Sequence, residues 1–390
     1  ELDTYTNQRQ HNKENGNLIR KIRKNINGTR STHYHVGKRL TALDNRLFES
    51  WHVWKQTNVG NGGSNYMAGF VPLSEYSGRK FEEKEDYKSA KSTGIYIIEA
   101  IAPNISGVTR IQHVDLNITG LPTKALKILA KGQLDEANTL REKFRRNAKK
   151  VDKEIRDVLV EKMKQGVKLD EEQEKVFHEL ETLFAREKGG WEKLQSPYEG
   201  VEMEIKKKEK GAKMKIALGK AVGTADCTAE EAAAWYFEYC SRERMAIEHK
   251  DPARLEIRKV KGRVNEKLVA TVKKMPFPLN KREFVSRLIW RRISEKTIAI
   301  AVVSVDDKVD YGGGISYRKL VRGQTKAIFT ATNVESKGEI PQCKIELLQY
   351  LDAGVHLPAQ IVNKKIPLSL SVLKEITDSF KRDDDIDRNE

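Results

Sequence analysis

Between residues 255 and 350 the chain offers six β-rich segments in succession with no helical pattern between them, and this run limits the fold more than any other feature. The segments are 255–261, 266–273, 284–292, 297–305, 317–332 and 343–350. Turn chemistry separates them: Asn280, Asp306-Asp307, Gly312-Gly313-Gly314 and Ser336-Lys337-Gly338. Strands joined this closely must pair antiparallel, because a parallel crossover needs a dozen or more residues. Two further strands (201–207 and 213–222) and a short helix over 228–240 precede the run. Thr228 is that helix's expected N-cap, with Glu230-Glu231 in its first turn. A long helix over 358–381 closes the chain, with a stripe at Val362, Ile366, Leu370, Leu373, Ile376 and Phe380. The order is α+β, with no βαβ rhythm.

Composition narrows the class further. There is no apolar run long enough for a membrane-spanning helix, and the mean hydropathy is −0.64. A net charge of +16 favours anionic partners: phospholipid surfaces, nucleic acid or acidic proteins. The three cysteines, Cys227, Cys240 and Cys343, are odd in number and form no CxxC pair, which fits reduced thiols in the cytoplasm better than a disulfide frame or zinc site. The chain opens at Glu1 without a charged-then-apolar leader and is expected to be a piece of a longer protein with no secretory signal.

Five regions are expected. Residues 1–45 are polar and aperiodic, a flexible lead. Residues 46–147 contain short strands and a hairpin (94–101 with 108–116, turned at 104–107), then a helix after Leu121-Pro122. Residues 148–190 form a solvated helical linker, ended by Gly189-Gly190. Residues 191–383 hold the strand-rich unit and its closing helix, and 384–390 an acidic tail. Placing Leu121-Pro122 over Leu357-Pro358 aligns Leu134 with Leu370, Phe144 with Phe380 and Arg146 with Arg382, so 46–147 reads as the C-terminal part of a first copy of the later unit.

Several motifs, in order, then point to a family. Trp191-Glu-Lys-Leu-Gln-Ser-Pro197, Met275-Pro-Phe-Pro-Leu-Asn-Lys-Arg-Glu-Phe-Val285, Val321-Arg-Gly323 and Leu348-Gln-Tyr-Leu-Asp352 with Pro358 and Asn363 together resemble START (StAR-related lipid-transfer) domains. Glu283 stands where that family usually has Asp, and Gly354 lies one place early. The resemblance implies a helix-grip fold: a curved antiparallel β-sheet with a long C-terminal helix over a hydrophobic cavity. It implies binding, and transfer between membranes, of a sterol, phospholipid or similar lipid, with no catalytic step and no cofactor.

The residues expected to line such a cavity are Phe284, Ser286, Leu288 and Trp290 on one strand face, Ile298, Ile300 and Val302 on the next strand, and Val362, Ile366, Leu370, Leu373 and Ile376 on the final helix. The alternative face of 284–291 carries Arg287 and Arg291, and burying two unpaired arginines costs several kcal/mol. Arg287 is the candidate anchor for a ligand's polar head. Pro367 should kink the last helix, at about 3 kcal/mol. Lys206, Lys207 and Lys208 form a basic hairpin suited to a peripheral anionic membrane. No nucleophile, phosphate-loop or metal-ligand motif is present, so neither an enzyme nor a metal site is expected. The competing functional classes are a regulatory or scaffolding module that senses a ligand without moving it, and a nucleic-acid binder. The latter is disfavoured because no exposed strand interleaves aromatics with Lys and Arg.

Overall fold

The computed structural model describes residues 17–24, 31–40, 43–58, 64–77, 87–120, 136–187, 189–206, 214–247, 251–259, 263–275, 279–311, 320–357 and 366–389. The chain divides into two compact units, Glu1–Asn147 and Ala148–Glu390.

The first unit is a six-stranded sheet in sequence order: β1 (Asn17–Lys24), β2 (Ser31–Leu40), β3 (Leu43–Asn58), β4 (Ser64–Pro72), β5 (Tyr87–Ala102) and β6 (Ile105–Asp115). A short parallel pairing joins β3 to β5. Two helices, α1 (Leu73–Ser77) and α2 (Glu136–Lys143), belong to the same unit. The expected hairpin is β5–β6, turned at Pro103-Asn104. Glycine is required at Gly94, where a Cβ would lie 2.5 Å from both the Ile111 carbonyl oxygen and the Phe70 ring. Residues 17–24 and 31–40, expected as part of a flexible lead, are β1 and β2, paired from Asn17↔Lys38 to Lys24↔Thr32. Main-chain pairing needs no apolar periodicity, so this polar, aperiodic stretch carries no strand signal in its sequence.

The second unit begins with α3 (Ala148–Gln165) and α4 (Glu171–Ala185). Its sheet contains β7 (Trp191–Leu194), β8 (Val201–Lys206), β9 (Met214–Ala225), β10 (Ala253–Lys259), β11 (Glu266–Lys273), β12 (Lys281–Arg292), β13 (Thr297–Ser304), β15 (Gln324–Lys337) and β16 (Ile340–Leu357). Their order is β10-β11-β12-β13-β15-β16-β9-β8-β7, antiparallel throughout. The short β14 (Leu320–Arg322) pairs parallel to the start of β12. Helices α5 (Ala229–Phe237) and α6 (Arg242–Ile247) interrupt the strands, and α7 (Val372–Ser379) and α8 (Asp383–Asn389) end the chain. This is the α+β helix-grip arrangement.

Both sheet faces are covered, which explains why 297–303 is apolar on both. Ile298, Ile300 and Val302 join the main core with α5, α7 and α3. Ala299 and Ala301 face the other way, with Ile289 and Leu218, and meet Phe177, Leu180 and Phe184 of α4. Two of the covering helices, α4 and α5, are fixed at their starts. Asp170 accepts from the Gln173 amide at 3.0 Å while Gln173 Oε1 accepts from the Asp170 amide at 3.4 Å; Thr228 and Glu231 form the same reciprocal box on α5.

Residues 148–190 were expected as a solvated linker, but they pack into the second unit. Met163 and Phe177 have no exposed surface, and Asp152 of α3 accepts from the Arg242 and Glu243 amides at 3.1 and 2.8 Å, so it caps α6. The expected single helix over 358–381 is helical at 366–370, turns at Ser371 and resumes as α7; 358–365 lies outside the described residues. The expected strand 317–332 is divided at Gly323, whose amide donates to the Glu283 carbonyl at 2.8 Å. A Cβ there would be 2.4 Å from the Phe284 ring. Part of the acidic end, Asp383–Asn389, is helical with Ile386 buried. No helix among the described residues is long and apolar enough to cross a membrane.

Candidate functional site: a cavity beneath the C-terminal helices

In the second unit the sheet and the helices that cover its α7 side line a partly open cavity of about 630 Å³. Strands β9, β11, β12, β13, β15 and β16 supply one wall; Tyr236, Tyr239, α6 and the segment 366–375 supply the other. Alternation on β12 decides which side chains enter. Phe284, Ser286 and Leu288 line the cavity, joined by Val302 of β13 and Ile366. Trp290, Ile298 and Ile300 share the buried core with them, away from the cavity, in the layer that packs α5 on β13. Trp290 is fully buried and its Nε1 has no hydrogen-bond partner. Leu370, Leu373 and Ile376 also serve the core: they seat the helical segments on the sheet rather than face the cavity. Gly219 of β9 makes that seating close, since a Cβ there would meet Ile366 and Leu370 at 3.1 Å. Val362 lies outside the described residues, as do Lys207 and Lys208; Lys206 is ion-paired with Glu187.

Arg287 does not enter the cavity. It lies on the opposite face, where Nε and Nη2 donate to Glu266 at 2.6 and 2.8 Å and Nη1 donates to Glu172 of α4 at 2.7 Å. Hydrogen bonds from Arg287 and then Arg263 hold the Glu172 carboxyl below its usual value. Arg291 follows the same pattern, over the Phe177 ring at 4.1 Å and paired with Glu174 and Glu181. Acidic residues on α4 therefore meet the arginines of β12.

The cavity's own cations were not singled out from sequence. Arg244 of α6 and Arg254 of β10 are both buried and both line it. The Arg244 guanidinium lies 4.7, 5.8 and 5.1 Å from the ring centroids of Trp235, Tyr236 and Tyr239, and Nη1 donates to the Tyr236 carbonyl at 2.7 Å. Burial, then the charge of Arg254, pulls Arg244 down to about 10, so it stays protonated at neutral pH. Burial pushes Tyr236 up to about 12. The one sequence signal that could have found this group is the cluster Trp235, Tyr236, Tyr239 just before Arg242-Glu-Arg244.

A chain of hydrogen bonds crosses the cavity lining. Ser369 donates to Gln349 Oε1 at 2.6 Å, and Gln349 Nε2 donates to the Thr325 hydroxyl at 3.2 Å. This ties the helical segment 366–370 to β16 and β15. Gln349 belongs to the Leu348–Asp352 motif, which now has a local role.

No protein-family profile matches the sequence, and neither does any curated protein. Among solved structures, the chain is similar to the human StarD13 (DLC2) lipid transfer and protein localization domain, at 14% identity over 55% of this chain and 99% of that one, TM-score 0.39. Human STARD10 is similar at 16% identity over 57% of this chain and 84% of that one, TM-score 0.41. The di-domain ARO/CYC StfQ of the steffimycin biosynthetic pathway is similar at 6% identity over 94% of this chain and 88% of that one, TM-score 0.26.

Proposed function

We propose that the second unit holds one hydrophobic small molecule of the lipid class, as a cytoplasmic binding module rather than a catalyst. The observation that carries this reading is the cavity itself. Its volume of about 630 Å³ falls in the range of about 300–1,000 Å³ typical of small-molecule sites. Most of its lining surface is apolar, while about half of its lining residues carry polar or charged groups, among them Arg244, Arg254, Arg282 and Glu375. Two of the segments that resemble START domains also reach it: Arg282 and Phe284 from one, Gln349 from the other. The same resemblance supports reading 46–147 as a partial related copy, since β5–β6 precedes Leu121-Pro122 as β15–β16 precedes Leu357-Pro358. Peripheral contact with anionic membrane, through the basic residues about 206–208, belongs to this proposal as well.

The test is native mass spectrometry with lipid extraction on the whole chain, repeated on Ala217→Phe. Ala217 is buried and lines the cavity, so the larger side chain fills it. One co-purifying lipid per protein, lost in the filled variant, is the expected result; an unfilled protein that takes up no lipid from vesicles would end the reading. The regulatory alternative is favoured by the Ser369–Gln349–Thr325 bridge, which holds the helical segment down. It predicts uptake without movement between vesicles, and measured transfer would exclude it.

A further inference from the structure

We propose that Cys227 and Cys343 are a latent disulfide pair, a site that two-electron oxidation closes into a bond tying the start of α5 to β16. The proposal stands apart from the reading of the cavity as a lipid site.

The two cysteines lie 116 positions apart, so no spacing motif announces them, yet their Sγ atoms are 3.8 Å apart and both residues are fully buried. A disulfide bond is about 2.05 Å long, so small rotations about the two Cα–Cβ bonds bring the sulfurs to bonding distance. The backbone around them is already held together. Ala225, the last residue of β9, is the ladder partner of Cys343 on β16. Asp226 accepts from the Gln342 side-chain amide at 2.9 Å and from the Arg382 backbone amide at 3.0 Å. Just after Cys227, the Ala229 amide at the start of α5 donates to the Asn333 side chain of β15 at 2.6 Å. These contacts fix the two segments side by side, which is the condition for a bridge without backbone movement.

A metal is not what brings the thiols together, since among the described residues no group of three or more His, Cys, Asp or Glu could hold one. Cys240, the third thiol, stands beyond the far end of α5, whose 9 residues span about 13 Å, so it is out of bridging reach of Cys227.

Burial, then the hydrogen bond with Cys343, pushes the Cys227 thiol well up, so in the closed fold it stays protonated and unreactive. The bond therefore forms when this corner of the unit opens. A small-molecule disulfide such as oxidised glutathione supplies the oxidant. One cysteine thiolate attacks it, forms a mixed disulfide and releases one small thiol. The second cysteine then attacks the protein-bound sulfur and releases the other. Two S–H bonds are lost, one S–S bond forms, and the small disulfide takes up both electrons and both protons. The product closes a long loop in the unfolded chain and fastens α5, which carries Tyr236 into the cavity wall, to β16.

The test holds the full chain in a buffer of reduced and oxidised glutathione, with urea just below the unfolding midpoint so that the corner opens and recloses. Remaining thiols are blocked with iodoacetamide and the peptides mapped. The expected product links Cys227 to Cys343 and leaves Cys240 alkylated. It should melt about 5–10 °C above the reduced protein, a shift that dithiothreitol reverses. Cys240→Ala should keep the link and the shift, while Cys227→Ala should show neither. The wild-type map and melting curve decide the matter even where a substituted core fails to fold. Three alkylated cysteines after equilibration, or links scattered among all three, would overturn the pair. So would a Cys227–Cys343 link that lowers the melting midpoint, because the native geometry would then resist the bond.

Discussion

The two sheets of this chain are written in the same alphabet of alternating strands, yet they bury their side chains very differently. In the second, the central strands β11, β12 and β13 are buried on both faces, with Trp290, Ile289, Ile298 and Ile300 all inaccessible. Among the described residues of the first, Leu47, Phe70, Ala90 and Ala102 are the buried apolar side chains, while Val53, Trp54, Tyr66, Val108 and Ile111 remain exposed. Strand sequence alone does not make a core. In the second unit α4 covers one face and α5 with α7 the other, and those helices turn alternation into two apolar layers.

Substitutions can break or sharpen this contrast. The largest effect is expected from Trp290→Ala, which empties a fully enclosed site and should cost about 3–5 kcal/mol in urea unfolding. A loss under about 1 kcal/mol would mean the second core is far looser than its burial implies. Arg287→Ala takes two charged hydrogen bonds from the buried Glu266, leaving it Arg263 and Gln173, and should cost about 1.5–3 kcal/mol. It should also change the acid response. Glu172 titrates below its ordinary 4.5 when folded, so its contribution is present above that value and is lost as pH falls through the depressed one. Without Arg287 this acid-side slope should flatten, by a small amount because Glu172 is largely exposed; an unchanged slope would remove the pair from the account. Gly354→Ala comes next, at about 1–3 kcal/mol. It forces a side chain onto φ +78°, 2.2 Å from the Arg322 carbonyl oxygen, and a neutral result would show that β16 can relax there. Smallest is Trp54→Ala in the first sheet, expected within about 0.5 kcal/mol of wild type. A large loss would reveal that this exposed tryptophan is covered after all, and the contrast would narrow.

Much of the second unit was legible because its signals are local. The Thr228 cap and the strand at 266–273 are read from neighbouring residues, and each is where the sequence suggests. The orientation of β12 followed from an energetic argument, the cost of two buried arginines. Arg287 and Arg291 do lie on the face away from the cavity, but they are satisfied by α4, a helix read as solvated linker. What stayed hidden depends on contacts between distant positions. Arg244 is buried by rings on α5 and just after it and by the neighbouring β10, on a six-residue helix too short to show a period. Ser369 finds Gln349 only once the last helical segment lies on β16.

Asp152 shows where this second body of the chain can be cut. Its carboxylate caps α6 from 90 residues upstream, and α6 carries Arg244 into the cavity wall. A fragment trimmed to the first strand at Trp191 would lose that cap, together with the Phe177, Leu180 and Phe184 layer behind the sheet. It would expose the backs of β12 and β13 to water and free the amides at the start of α6. A fragment meant to keep both should therefore start no later than Ala148, where the second compact unit begins, and shorter ones are expected to lose solubility or the pocket.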